Sequence, residues 1–86
     1  MERSDLDDKI RDILDAHARL MAPAASLGDS DDLYAAGMSS QASVNVMLAL
    51  EDAFDIEFPD HMLKRSVFES VAAIRSAITE LQSAAV

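Results

Sequence analysis

Ser39 and Ser40 stand side by side in the stretch GMSSQ, just where an apolar-periodic segment begins. A serine hydroxyl becomes a nucleophile only with a base in hydrogen-bond reach and an oxyanion site beside it. His17 and His61 are the only histidines. His17 falls in the apolar stripe of an N-terminal segment, where a packing role is expected. His61 falls in the turn PDHM, where a solvent or helix-terminal role is expected. Neither makes this chain an autonomous hydrolase.

The acidic run GDSDD invites a calcium reading and then fails it. Asp29 and Asp31 fit the first two ligand positions of an EF-hand loop, but Leu33 stands where the third belongs and Tyr34 where glycine is required. Two readings of the serine pair remain: ordinary turn and cap chemistry, or a serine that another enzyme modifies. A phosphate ester at Ser40 would lie at the start of a helix, where backbone N–H groups and the helix dipole favour negative charge.

Eighty-six residues allow one small domain, which buries roughly 60% of the surface its unfolded chain exposes. Residues 1–86 therefore read as a single domain with a core over about 5–81 and a tail, 82–86, expected to fray. With no cysteine, disulfides and thiolate metal sites are excluded and packing alone must hold the fold, which suits the cytoplasm. Sixteen acidic against seven basic residues, a formal charge of −9, argue against nucleic acid or anionic lipid as partner and for proteins presenting basic patches. The N-terminus MERSDLDDKI lacks an apolar signal core, and no apolar stretch approaches the ~20 residues of a membrane span. A soluble, unexported monomer is the expectation.

The elements that must position the serines are helical. Leu6, Ile10, Ile13, Leu14, His17 and Leu20 recur at helical spacing over residues 5–20, with Ser4 and Asp7 spaced as a cap. Pro23, Gly28, Gly37 and the acidic cluster mark Met21 to Met38 as a long ordered loop, anchored to the core by Leu33 and Tyr34. A second helix is expected from about Ser40 to Phe54, stopping before FPD because Pro59 disfavours helical geometry at the residue before it. After Pro59, DHMLKRS has room for one short helix. SVAAIRSAITEL then forms the last, with Ser70 as N-cap and Val71, Ile74, Ile78 and Leu81 on one face. The fold class is all-α: three main helices, one short one, and a long loop between helices one and two.

Helix two carries apolar residues on both sides. At about 100° per residue, Ala42, Val46, Ala49, Leu50, Ala53 and Phe54 form one stripe, enough for the core. The opposite side holds Ser40, Val44, Leu48, Glu51 and Asp55. Val44 and Leu48 either tuck under the loop or form, with the acids around them, a docking surface for a partner whose apolar patch is ringed by Lys and Arg. Lys64 and Arg65 add local basic contrast to the same surface.

The stretch DLYAAGMSSQASVNVMLALEDAFDIEFPD resembles the carrier-protein family, the acyl and peptidyl carriers that hold intermediates on a phosphopantetheine arm. The likeness covers about residues 5–80. It rests on Asp31, Asp32 and Leu33 in the loop, the Gly-x-x-Ser turn, and a helix running through ALEDAF into DIEFPD. In that family the attachment serine follows an aspartate and lies eleven residues before the glutamate of the ALE segment. Counting back from Glu51, the resemblance implies that Ser40 takes the arm, Gly37 takes the family glycine, and Ser39 replaces the aspartate as a cap. Gln41 departs from the apolar residue usual there, and the lost aspartate bears on which phosphopantetheinyl transferase accepts the chain.

A GMSS version on a short chain is similar to the discrete carriers charged by ligases related to class II seryl-tRNA synthetases. That implies a small amino acid as cargo, 4'-phosphopantetheine on Ser40 as cofactor, and three kinds of partner: transferase, ligase and downstream acyl acceptor enzyme. It implies no catalysis by the chain itself. A fatty-acyl or polyketide carrier is the first alternative, and an unmodified acidic helical adaptor the second.

Overall fold

The computed structural model describes residues 5–84. The Ser4 cap and the last two residues, 85–86, lie outside the described residues. Three helices, α1 (Asp5–His17), α2 (Ser40–Phe54) and α3 (Val71–Ala84), surround one apolar core, and the described residues contain no strand. α1 packs against both other helices.

The core is built in steps of four residues along each helix: Ile10, Leu14 and Ala18 continue the line of α1, Ala42, Val46 and Leu50 that of α2, and Ile74 and Ile78 that of α3. This spacing explains two departures from the expected stripes. His17, about 60° round the axis from Leu14 and about 100° from Ala18, falls to the side of that line at the last residue of the helix and is exposed. It closes α1 instead, where a basic side chain complements the helix dipole. Ala53 is exposed because Phe54 takes the inward place one turn after Leu50.

Helix ends also differ. α1 ends at His17 rather than Leu20, since Arg19 turns left-handed at φ 58°. α3 continues through Ala84, past Leu81. α2 keeps its expected bounds, but Pro59 is not what stops it. Asp55 adopts φ 53°, ψ 51°, and the N–H groups of Asp55 and Ile56 both donate to the Glu51 carbonyl. The expected short helix after Pro59 is two 3-10 turns, Asp60–Met62 and Arg65–Val67, with a third, Ala24–Ser26, in the long loop.

The loop from residue 18 to 39 is pinned at many points. Arg11, only 5% exposed, donates to the Ala24 carbonyl, to the Leu27 carbonyl at 2.7 Å and to Asp29 Oδ1 at 2.7 Å. Asp29 Oδ2 also accepts from Arg75 of α3 at 3.2 Å, and Arg75 binds Asp7 of α1 at 2.8 and 2.9 Å. Asp29 thus joins α1, the loop and α3. The Arg75 guanidinium, and after it that of Arg11, holds the Asp29 carboxyl below its ordinary 3.8. The Arg75 guanidinium is in turn held above its ordinary value, first by its bond to Asp7.

Bonds from backbone N–H groups, one of them to a side-chain carboxylate, finish the docking of the loop. Asp15 accepts from Ala24 N at 2.7 Å, Leu33 N donates to the Glu69 carbonyl at 2.7 Å, and Ala72 N donates to the Asp29 carbonyl at 3.0 Å. Leu33 is fully buried and Tyr34 half-buried, as their anchoring role requires.

Candidate functional site

Gly37 delivers the chain to the serine pair. Its φ is 120°, a conformation that side chains strain to adopt, and a Cβ there would meet Met21 Cγ at 3.2 Å and the Arg19 carbonyl at 3.3 Å. The loop therefore folds back on residues 19–21, where Met21 N donates to the Ala36 carbonyl at 2.9 Å. Met38 is buried, and its N–H donates to the Leu33 carbonyl. Two exposed residues follow, with different tasks.

Ser39 is the N-cap of α2: extended backbone, φ −80°, ψ 166°, with its Oγ accepting from Ala42 N at 3.0 Å. Ser40 is the first residue of the helix and is exposed. Among the described residues its hydroxyl has no hydrogen-bond partner, while its carbonyl accepts from Ser43 Oγ. Among the described residues no histidine or carboxylate lines the groove beside this hydroxyl.

Ser40 opens onto a groove of about 350 Å³ whose walls also include Tyr34, Val44, Met47, Leu63, Lys64, Arg65 and Phe68. Val44, Leu48 and Leu63 are 50%, 53% and 48% exposed, so neither apolar residue of α2 is covered by the loop. Of the residues the sequence put on this surface, Ser40, Val44, Lys64 and Arg65 share the groove. Leu48 lies one turn beyond Val44. Glu51 borders the adjoining hollow with Phe58 and Pro59, where its Oε2 accepts from Phe58 N at 2.9 Å. Asp55 is exposed but belongs to the helix stop.

The basic pair does not ride on a helix: Lys64 precedes the 3-10 turn that Arg65 begins. Arg65 lies over the Tyr34 ring, its Cζ 3.9 Å from the centroid. Tyr34, Met47, Leu63 and Phe68 are groove residues that sequence reasoning missed as such. Three of them lie outside helices, where no periodicity points to a shared wall. Lys64 and Arg65 supply positive charge at the lip, and the N-terminus of α2 adds the positive end of its dipole. A phosphate-linked group on a hydroxyl fits this donor set.

The fold and site define a short all-α bundle with an exposed serine at the start of its second helix. The sequence matches the family described as "Phosphopantetheine attachment site" over residues 8–77. It is 51% identical over 69 residues, 80% of this chain and 83% of the relative, to the "Aminoacyl carrier protein" of Agrobacterium fabrum (strain C58 / ATCC 33970). A similar chain occurs in a crystal structure of engineered Bradyrhizobium japonicum glycine:[carrier protein] ligase with carrier protein from Agrobacterium tumefaciens and ATP. The TM-score is 0.84, identity 47%, and coverage 87% of this chain and 97% of that one. A solution structure of an Agrobacterium tumefaciens protein matches with TM-score 0.73 and 44% identity over 92% of this chain and 95% of that one. The chain belongs to the phosphopantetheine-attachment family of carrier proteins. Its cofactor is 4'-phosphopantetheine.

Proposed function

We propose that this chain is an aminoacyl carrier that takes its arm on Ser40 and holds a small amino acid for transfer to an acceptor enzyme. The observation that carries the site is the division of labour between the serines: Ser39 Oγ caps Ala42 N, and the Ser40 hydroxyl is left exposed at the groove. Identity of 51% to an aminoacyl carrier protein supports the cargo class. When bound, the arm supplies the thiol that a cysteine-free chain lacks and carries cargo as a thioester. Lys64, Arg65 and the start of α2 would hold its phosphate end.

Loading requires two partners, a phosphopantetheinyl transferase and a ligase that activates the amino acid as an adenylate. The ligase is of the kind related to class II seryl-tRNA synthetases, and its need for ATP fits the cytoplasm. The likeness to a chain crystallised with a glycine:[carrier protein] ligase supports such a partner. Docking uses Val44 and Leu48 with Glu51 and Asp55 beside them, so a partner on that face also faces Ser40. The chain contributes address and presentation, and its partners contribute the catalytic groups.

The test is to load the arm by co-expression with a transferase, then incubate the product with ATP, the ligase and single amino acids. A mass increment for a small amino acid is expected. Loading only by fatty-acyl or malonyl donors overturns the cargo and favours the acyl-carrier alternative. Failure to take any arm favours an unmodified adaptor.

A further inference from the structure

Charge is distributed unevenly around Ser40. The chain carries sixteen acidic residues, yet the groove that Ser40 opens onto is lined by no carboxylate and by two cations, Lys64 and Arg65. Among the described residues neither cation is paired with an acid. Arg11 and Arg75, by contrast, both end on carboxylates.

Arg65 is also held in place. Its Cζ lies 3.9 Å from the centroid of the Tyr34 ring, a cation–π contact that ties the side chain to the loop. No hydrogen bond of the Arg65 guanidinium is present among the described residues, and its planar fork of donors matches two oxygens of a phosphate. Tyr34 is fixed in turn by the loop: its N–H donates to Asp32 Oδ1 at 2.9 Å, and Leu33 before it is fully buried.

We propose that Arg65, braced on Tyr34 and assisted by Lys64, binds the phosphate of the arm on Ser40 and fixes the arm's root at the groove. The proposal rests on Ser40 as the attachment residue. A phosphodiester on Ser40 brings one negative charge into a chain already at −9. Over most of this surface that charge would be repelled. Beside Ser40 it meets a preordered guanidinium, an ammonium and the positive end of α2. Arg65 is here a positioning residue: it sets where the arm starts and does not react.

Phosphorus NMR of the arm-loaded protein tests this, with the attachment residue mapped by tandem mass spectrometry in every sample. The expected result is a phosphorus resonance broadened as for a group tumbling with the whole protein, and a shift of the Arg65 side-chain N–H signal between unloaded and loaded protein. Arg65→Gln should lose the excess line width. Tyr34→Leu, which removes the brace but not the charge, and Lys64→Gln should each lose part of it. Lys9→Gln is the control, since Lys9 lies over Phe54 at the far end of α2, roughly 20 Å from Ser40 at 1.5 Å per residue. It should change nothing. Melting of each unloaded variant separates loss of fold from loss of the contact, and Arg65→Lys, which keeps charge without the fork, supplies a second variant. Equal line widths in wild type and Arg65→Gln, with the arm mapped to Ser40, overturn the phosphate contact and leave the attachment intact. An arm mapped to another residue overturns the attachment itself.

Discussion

Where the long loop meets α1 and α3, guanidinium groups end on carboxylates; where it meets the start of α2, Arg65 ends on a tyrosine ring. The first contact closes on itself. Arg11 is buried and Asp29 joins it to Arg75, so the loop is locked to two helices. The second leaves the guanidinium without a carboxylate partner, on a groove whose lining contains no acid. The same side chain therefore holds the fold in one place and stands ready for a ligand in the other, and the difference is whether a carboxylate was placed opposite it.

The most drastic way to separate the two regions is on the serines. Ser40→Ala should abolish the mass increment of arm attachment. Ser39→Ala should retain it while lowering stability by about 1 kcal/mol through the lost cap. The reverse pattern would move the site by one residue.

Next in size is the locked side. Arg11→Ala leaves the Leu27 carbonyl without its donor, while the Ala24 carbonyl keeps Leu27 N and Asp29 keeps Arg75, and should cost about 2 kcal/mol, read as a lower urea midpoint. Ser40 should still be modified in the folded fraction. Little change in the midpoint would mean that the loop is held by its backbone bonds alone.

On the presented side, Leu48→Ala should weaken ligase loading roughly tenfold, the scale of a docking hot spot, with the melting temperature unchanged. A drop of several degrees with loading intact would put Leu48 in the core and the docking face elsewhere. Glu51 needs a gentler change because it also accepts from Phe58 N. Glu51→Gln keeps an acceptor and removes the charge, so association should slow a few-fold at low salt and recover as salt screens the encounter.

The smallest effect is acid sensitivity of the lock. Asp29 ionises more readily in the folded chain than its ordinary 3.8, so it favours the folded state above that value. That contribution is lost as pH falls through the lowered value. Asp29→Asn should flatten this part of an acid unfolding curve. An unchanged curve would assign acid unfolding to other carboxylates.

The structural places of the two serines were legible in the sequence because their determinants are local: a glycine, a cap and a helix start within four residues, with Ser39 as N-cap and Ser40 opening α2. Helix positions were legible for the same reason, through periodicity. The loop network was not. Asp29, Asp31 and Asp32 read as an acidic cluster, yet Asp29 pairs with arginines 18 and 46 positions away, and the other two accept from nearby backbone N–H groups. Pairing over such separations leaves no periodic trace. The groove was half legible: α2 gave its floor, while Tyr34 and Leu63 came from segments whose shape depends on tertiary contacts.

The two sides of that groove are also unequal in how they are hydrogen-bonded. Its floor is α2, with bonds along a 15-residue helix. The opposite side, residues 63–65, is the link between two three-residue turns and the first residue of the second, tied down by Met62, Phe68 and the edge-on packing of Phe58 against Phe68 at 5.2 Å. Amide hydrogen exchange should therefore be graded across a few ångströms, with the amides of α2 exchanging only on near-global opening and those of residues 63–67 through smaller local openings. On that pattern the two walls of the groove would open at different free energies, the backbone of residues 63–67 before that of the helix bearing Ser40, while the Tyr34 contact keeps the Arg65 guanidinium in place.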